Sequence, residues 1–166
     1  MSLSVRVASK PARSGYTLLE LLVVLALTGL FTAWALHARP SRVAAATVAL
    51  RTQIMQARFV AIERNTPVAV VFRDQPASFV TLAAGELSIA EACEAGEELA
   101  RLQLSEFPGV RVTRVPDKGV VWLPSGSGRT CSGGGAFNQT IALSDNVRDA
   151  RVIVSRAGRV RSEVGR

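Results

Sequence analysis

Histidine occurs once in this chain, as His37, and cysteine twice, as Cys93 and Cys131. Zinc sites need three or four convergent ligands of these types, so the usual zinc constellations are excluded. Nucleophilic catalysis of the Ser-His-Asp or Cys-His kind needs a histidine beside the nucleophile. His37 stands at the end of an apolar run, where an interfacial role is the simpler reading. The segment Ser125-Gly126-Ser127-Gly128-Arg129-Thr130 is glycine-rich but lacks the lysine and spacing of a phosphate-cradling loop, and reads as a flexible connection. There is no internal repeat of useful period. These residues give no support for an enzyme, a bound metal or a cofactor.

The chain has 166 residues, enough for one compact domain and a terminal appendage. Apolar residues make up 48% of it, which supports a real core and argues against wholesale disorder. The formal net charge is +7, a balance that favours anionic partners: nucleic acid, acidic lipid headgroups or an acidic protein surface. Charge alone does not choose among them.

The first fifteen residues are polar, carry Arg6, Lys10, Pro11 and Arg13, and end in Gly15. An apolar run follows from Tyr16 to Leu36, roughly 21 residues or roughly 30 Å as a helix, enough to cross a bilayer. Conventional secretory signals place a small-residue cleavage site after the apolar region, whereas here the glycine precedes it. Glu20 is the one carboxylate in the run. Inserting such a group costs on the order of 2–3 kcal/mol or more, so it normally has a partner. Two readings stand: a glutamate near the interface reaching toward headgroups, or one paired with a newly exposed α-amine at Tyr16 of a neighbouring subunit. Lys/Arg flanks are balanced, with Arg6, Lys10 and Arg13 before the run and Arg39, Arg42 and Arg51 after it, so positive-inside counting does not decide orientation.

Gly15-Tyr16-Thr17-Leu18-Leu19-Glu20, behind a short basic leader and ahead of a hydrophobic run, resembles the class III signal of type IV prepilins. Tyr16 stands where phenylalanine is most common and keeps the ring. The resemblance implies a prepilin peptidase that cuts after Gly15 and methylates the amine of Tyr16, with Glu20 guiding the mature subunit into a filament of other pilins or pseudopilins. It also implies a single pass through bacterial inner-membrane lipid, with everything after about residue 40 outside the cytoplasm.

Pro40 is expected to kink or interrupt the helix, and Ser41 to cap a second stretch running to about Arg64. Val43, Thr47, Leu50, Ile54, Ala57 and Ala61 form one helical stripe. Val48, Met55, Phe59 and Ile62 form a second, as suits a helix between its own domain and neighbouring helices. Arg51 and Arg58 fall between the stripes and read as snorkelling cations at a domain edge. Asn65-Thr66-Pro67 closes the helix. Strands are expected at 68–72, 78–82, 102–107, 110–115, 120–123, 140–143 and 151–155. The fold class is therefore α+β, a long N-terminal helix packed on antiparallel sheet. The division is a leader over 1–15, a pilin helix over 16–65 with its span at about 16–36, and a β-rich domain over 66–166. Glu86, Glu91, Glu94, Glu97 and Glu98 make an acidic stretch, read as an exposed loop or short helix or, more sharply, as a contact surface for the basic side of a neighbour.

The C-terminal segment carries Arg148, Arg151, Arg156, Arg159, Arg161 and Arg166 against Asp149 and Glu163. A strand over 150–155, a turn at Arg156-Ala157-Gly158 and a second strand at Arg159-Val160-Arg161 put Arg159 and Arg161 on one face. Guanidinium pairs suit phosphate oxygens; equally, arginines solubilise an edge strand. A strand followed by Gly-Arg-x-Arg at the end of a pilin-like chain is similar to the GspH/FimT family of minor pilins and pseudopilins, which help initiate or cap filaments of type IV pili or type II secretion systems. In some FimT-like members this element contributes to binding double-stranded DNA for uptake. Carried over, that implies Gly158, Arg159 and Arg161, with Arg156 or Arg151 as helpers. No aromatic neighbours the cluster, so binding would be phosphate-led and non-specific. The oxidising compartment implied for this domain makes a Cys93–Cys131 disulfide the expectation, with two unrelated buried thiols as the alternative.

Overall fold

The structure is a computed structural model that describes residues 17–37, 41–133 and 138–165. The chain divides into two compact units, Met1–Arg39 and Pro40–Arg166. In the first, helix α1 runs Leu18–His37, and each of its side chains described, from Leu18 to Trp34, is exposed. Its polar hydroxyls bond within the helix: Thr28 donates to the carbonyls of Val24 and Leu25 at 2.8 and 3.0 Å, and Thr32 donates to those of Thr28 and Gly29. Such back-bonding leaves no hydroxyl unsatisfied in an apolar setting. Among the described residues, no helix is long and apolar enough to cross a membrane. The Gly15, Tyr16 and Pro40 expectations lie outside the described residues, as does the His37 side chain.

The second unit opens on helix α2, Arg42–Arg64, where the Ser41 hydroxyl accepts from the Ala44 amide and Asn65 ends the helix in the left-handed region at φ 53°. The stripe Val43, Ala46, Leu50, Ile54, Ala57 and Ala61 is buried. Full burial of Leu50 and Ile54 contributes about 2 kcal/mol each. The other stripe faces out, with Val48 58% and Phe59 64% exposed.

The remaining elements are β1 Val68–Asp74, β2 Ala77–Ala83, α3 Ile89–Ala95, β3 Glu97–Gln103, β4 Arg111–Arg114, β5 Gly119–Trp122, β6 Gly128–Thr130, β7 Asn138–Ser144, β8 Asp149–Ser155 and β9 Val160–Val164. They form two antiparallel sheets, ordered β3-β2-β1-β5-β6 and β4-β7-β8-β9. Helix α2 packs on both, touching β1, β2, β3 and β5 of the first and β7, β8 and β9 of the second. The main core joins its stripe to Val68, Val70, Val120 and Trp122 from one sheet and to Ile141, Leu143, Val152 and Val154 from the other. A smaller core covers the opposite face of β1 and β5, where Ala69, Val71 and Val121 meet Val80, Leu82 and the two cysteines. Strand β1 is thus buried on both faces, which is why it reads as a continuous apolar run. The chain is α+β, as its residue pattern implies.

Two expectations change. The strand placed at 102–107 lies earlier: β3 begins at Glu97 and ends at Gln103, and Leu104–Glu106 is a short 3-10 turn with Leu104 buried. Acidic Glu97 and Glu98 argue against a strand by charge, yet β3 is an edge strand, where exposed charge is favoured. The 125–130 connection is half strand: β6 pairs with β5 as Val120↔Thr130 and Trp122↔Gly128, across a turn whose Gly126 has φ 75°. A three-residue strand carries too few side chains to register as alternation.

Candidate functional site

Two places gather the residues singled out by sequence, the start of α1 and the β8–β9 hairpin. At the first, the Thr17 carbonyl accepts from the amides of Glu20 and Leu21 at 3.0 and 3.2 Å, and the Thr17 hydroxyl accepts from the Glu20 amide at 3.3 Å. Threonine caps the helix and fixes the backbone at Glu20. Among the described residues the Glu20 carboxylate has no partner. It stands at the positive end of the helix dipole, which stabilises a negative charge there.

At the second, β8 and β9 pair as Ile153↔Arg161 and Val154↔Val160. The turn between them is closed by the Gly158 amide donating to the Ser155 carbonyl at 2.9 Å and the Ser155 amide donating to the Arg159 carbonyl at 2.9 Å. The Ser155 hydroxyl accepts from the Arg159 amide at 3.1 Å. Arg159 and Arg161 are exposed and line one open cleft of about 420 Å³ with Asn138, Thr140, Ile153 and Ser155. The cleft offers two guanidiniums beside amide and hydroxyl groups, a combination suited to phosphate oxygens. Arg161 also reaches Glu163 at 3.5 Å. Arg151 is not in this cleft: it pairs in register with Glu163 and lines a neighbouring hollow with Asp149. Arg156 is exposed on the turn, and its backbone carbonyl accepts from the Gly128 amide at 3.2 Å, joining the two sheets.

Gly158 is buried, not presented, and has φ 84°. Its carbonyl accepts from Arg58 Nη1 at 3.0 Å, while Arg58 Nε donates to the Gly126 carbonyl at 3.1 Å. The same guanidinium lies 5.7 Å from the ring centre of fully buried Trp122, a cation–π contact. Arg58 is therefore no snorkelling cation, which corrects the expectation from its place between stripes; Arg51 is exposed. Sequence reasoning missed Arg58 as part of this site. The available signal was an arginine directly beside the buried Ala57 position, in a chain with two turn glycines for it to approach.

The acidic stretch forms a third charged region. Helix α3 opens with a capping box in which Ser88 and Glu91 satisfy one another's backbone amides. The Ser88 hydroxyl and amide bonds hold the Glu91 carboxyl below its ordinary value. Arg101 bonds Glu98 and lowers its pKa, and Lys118 meets Glu94 at 3.4 Å. Asp117 is held low chiefly by the Ser132 amide, which donates to Oδ2 at 2.9 Å. Cys93 of α3 and Cys131 beyond β6 are joined by a disulfide with Cα atoms 6.0 Å apart, under which the smaller core closes.

Comparisons with known proteins place these features in context. Residues 46–158 match the family described as Type II transport protein GspH, and residues 10–36 match the prokaryotic N-terminal methylation motif. Among solved structures the fold is similar to that of the minor pseudopilin EpsH from the Type 2 Secretion System of Vibrio cholerae, at a TM-score of 0.54 and 12% identity. That similarity covers 74% of this chain and 97% of the other. No curated protein sequence matches this one.

Proposed function

Because the chain belongs to the GspH family of type II transport proteins and is a GspH-like minor pseudopilin, we propose that it helps initiate or cap a type II secretion pseudopilus or a type IV pilus. In this reading it is made as a prepilin, cut after Gly15 by prepilin peptidase and methylated on the Tyr16 amine. The segment from Tyr16 to Leu36 then crosses the bacterial inner membrane once, with the β-rich domain outside the cytoplasm. Its role is structural, and its partners are other pilins or pseudopilins.

The observation that carries this reading is Glu20, capped by Thr17 at the start of an apolar helix and lacking a partner among the described residues. An unpaired carboxylate there costs about 2–3 kcal/mol in lipid, which pairing with the Tyr16 amine of a neighbour would offset. Substituting Glu20→Ala in the full chain should leave it membrane-inserted but poorly incorporated. Undiminished recovery in sheared filaments would count against the assignment. The Cys93–Cys131 bridge belongs to the same picture, since disulfides persist in oxidising compartments.

A second reading is favoured by the cleft of Arg159 and Arg161: capture of extracellular double-stranded DNA through its phosphates. The full chain in neutral-lipid nanodiscs should bind duplex DNA with an affinity that falls steeply as salt rises. If Arg159→Ala/Arg161→Ala binds as the parent does, the pair is only surface charge.

A further inference from the structure

We infer that Arg58 is the positioning residue of the Gly158-Arg159-Val160-Arg161 element, holding the hairpin tip so that Arg159 and Arg161 face one cleft. The inference rests on the DNA-capture reading above and identifies what pre-organises that site.

The β8–β9 turn has no disulfide, and among the described residues its only side-chain support is the Ser155 hydroxyl and the guanidinium of Arg58. Arg58 reaches it from α2, 100 positions earlier in the chain, and with the same fork holds the Gly126 turn, 68 positions away. One planar group thus ties a turn of each sheet to the central helix. The buried Trp122 ring limits how far the guanidinium can sink. Lysine could not replace it, because an ammonium lacks the fixed fork that spans two carbonyls.

The glycine of the motif fits this role. A Cβ on Gly158 would lie 2.5 Å from Arg58 Cζ and 2.8 Å from both Nε and Nη2. The backbone there is also left-handed, at φ 84°. Gly158 is glycine, on this account, because the guanidinium occupies the space a side chain would need. The residues that meet DNA are then Arg159 and Arg161, while Gly158 and Arg58 set their position. A site whose groups are already in place loses less freedom on binding.

The test measures duplex DNA binding against salt concentration for the full chain in neutral-lipid nanodiscs, with hydrogen exchange at the Gly158 and Arg159 amides. Arg58→Gln should weaken binding about tenfold through lost pre-organisation, leave the slope of log affinity against log salt unchanged, and speed exchange at both amides. Arg58→Lys should restore affinity only in part. Gly158→Ala, which keeps every charge and expels the guanidinium, should reproduce the Arg58→Gln result and guards against a folding defect peculiar to one variant. A slope reduced by about one unit in Arg58→Gln would make Arg58 a phosphate ligand and overturn the inference. Parent-like affinity in Arg58→Gln would overturn it too, while leaving DNA capture standing. No salt-dependent binding by the parent would instead remove DNA capture, and the inference with it.

Discussion

The acidic corner around Cys93 and the basic tip around Gly158 both rest on turns and short elements, yet they are held by opposite means. In the corner most charges are answered nearby, Glu91 by Ser88, Glu98 by Arg101, Glu94 by Lys118 and Asp117 by Ser132, while Glu86 and Glu97 are exposed. Even Arg73 donates to the backbone carbonyls of Cys93 and Glu94, at 3.0 and 2.9 Å. A disulfide closes the arrangement. At the tip the Arg58 guanidinium and the Ser155 hydroxyl do the holding; among the described residues the side chains of Arg156 and Arg159 have no partner, and Arg161 meets Glu163 at 3.5 Å. Charge that is neutralised locally serves the fold, whereas charge left unanswered on a fixed backbone is available to another molecule.

If that contrast is sound, changes in the corner should cost stability and spare DNA binding, and changes to the tip's arginines should do the reverse. The largest stability effect is expected for Cys93→Ser. Opening a loop with a sequence separation of 38 should lower unfolding free energy by about 4 kcal/mol in chain-entropy terms, read by denaturant melts without reductant. DNA affinity should not move; a parent-like melt would mean the bridge holds nothing. Next is Gly158→Ala, which should lose about 2–3 kcal/mol from backbone strain and a displaced Arg58, and should weaken DNA binding as well. It is expected to register on both sides. Ser88→Ala removes a helix cap and should cost about 1 kcal/mol with no effect on DNA.

A smaller effect concerns acid. The Asp117 carboxyl is held low in the folded chain, so its contribution is full above its ordinary value of 3.8 and is lost as pH falls through the folded value. Asp117→Asn should therefore lower stability at neutral pH slightly and flatten the acid limb of a stability–pH curve; an unchanged limb would show that the Ser132 contact is not felt. Smallest in stability is Arg159→Ala/Arg161→Ala, within about 0.5 kcal/mol of the parent as expected of exposed side chains. Its salt slope should nonetheless fall by about two units.

Much of the fold could be read from the residues because its signals are local. The Val43 to Ala61 stripe repeats at helical spacing and is the stripe that is buried, and β1, β2, β5, β7 and β8 fall where alternation or continuous apolar runs put them. Strand β3 was misplaced because Glu97 and Glu98 mask an edge strand, and β6 because three residues carry no period. At the site, the pairing of Arg159 with Arg161 follows from two-residue alternation alone. Arg58 does not, since its partners lie 68 and 100 residues away and are backbone carbonyls, which leave no trace in side-chain pattern. The place of Arg151 outside that cleft has a related cause: cross-strand register, invisible in one strand, sets it against Glu163.

Maturation at the N-terminus is tested most directly by the intact mass of the protein extracted from membranes without reductant. The expected species starts at Tyr16, carries one added methyl group on its amine, and is lighter by two hydrogens for the Cys93–Cys131 bridge. A mass that begins at Met1 with no methyl group would contradict it.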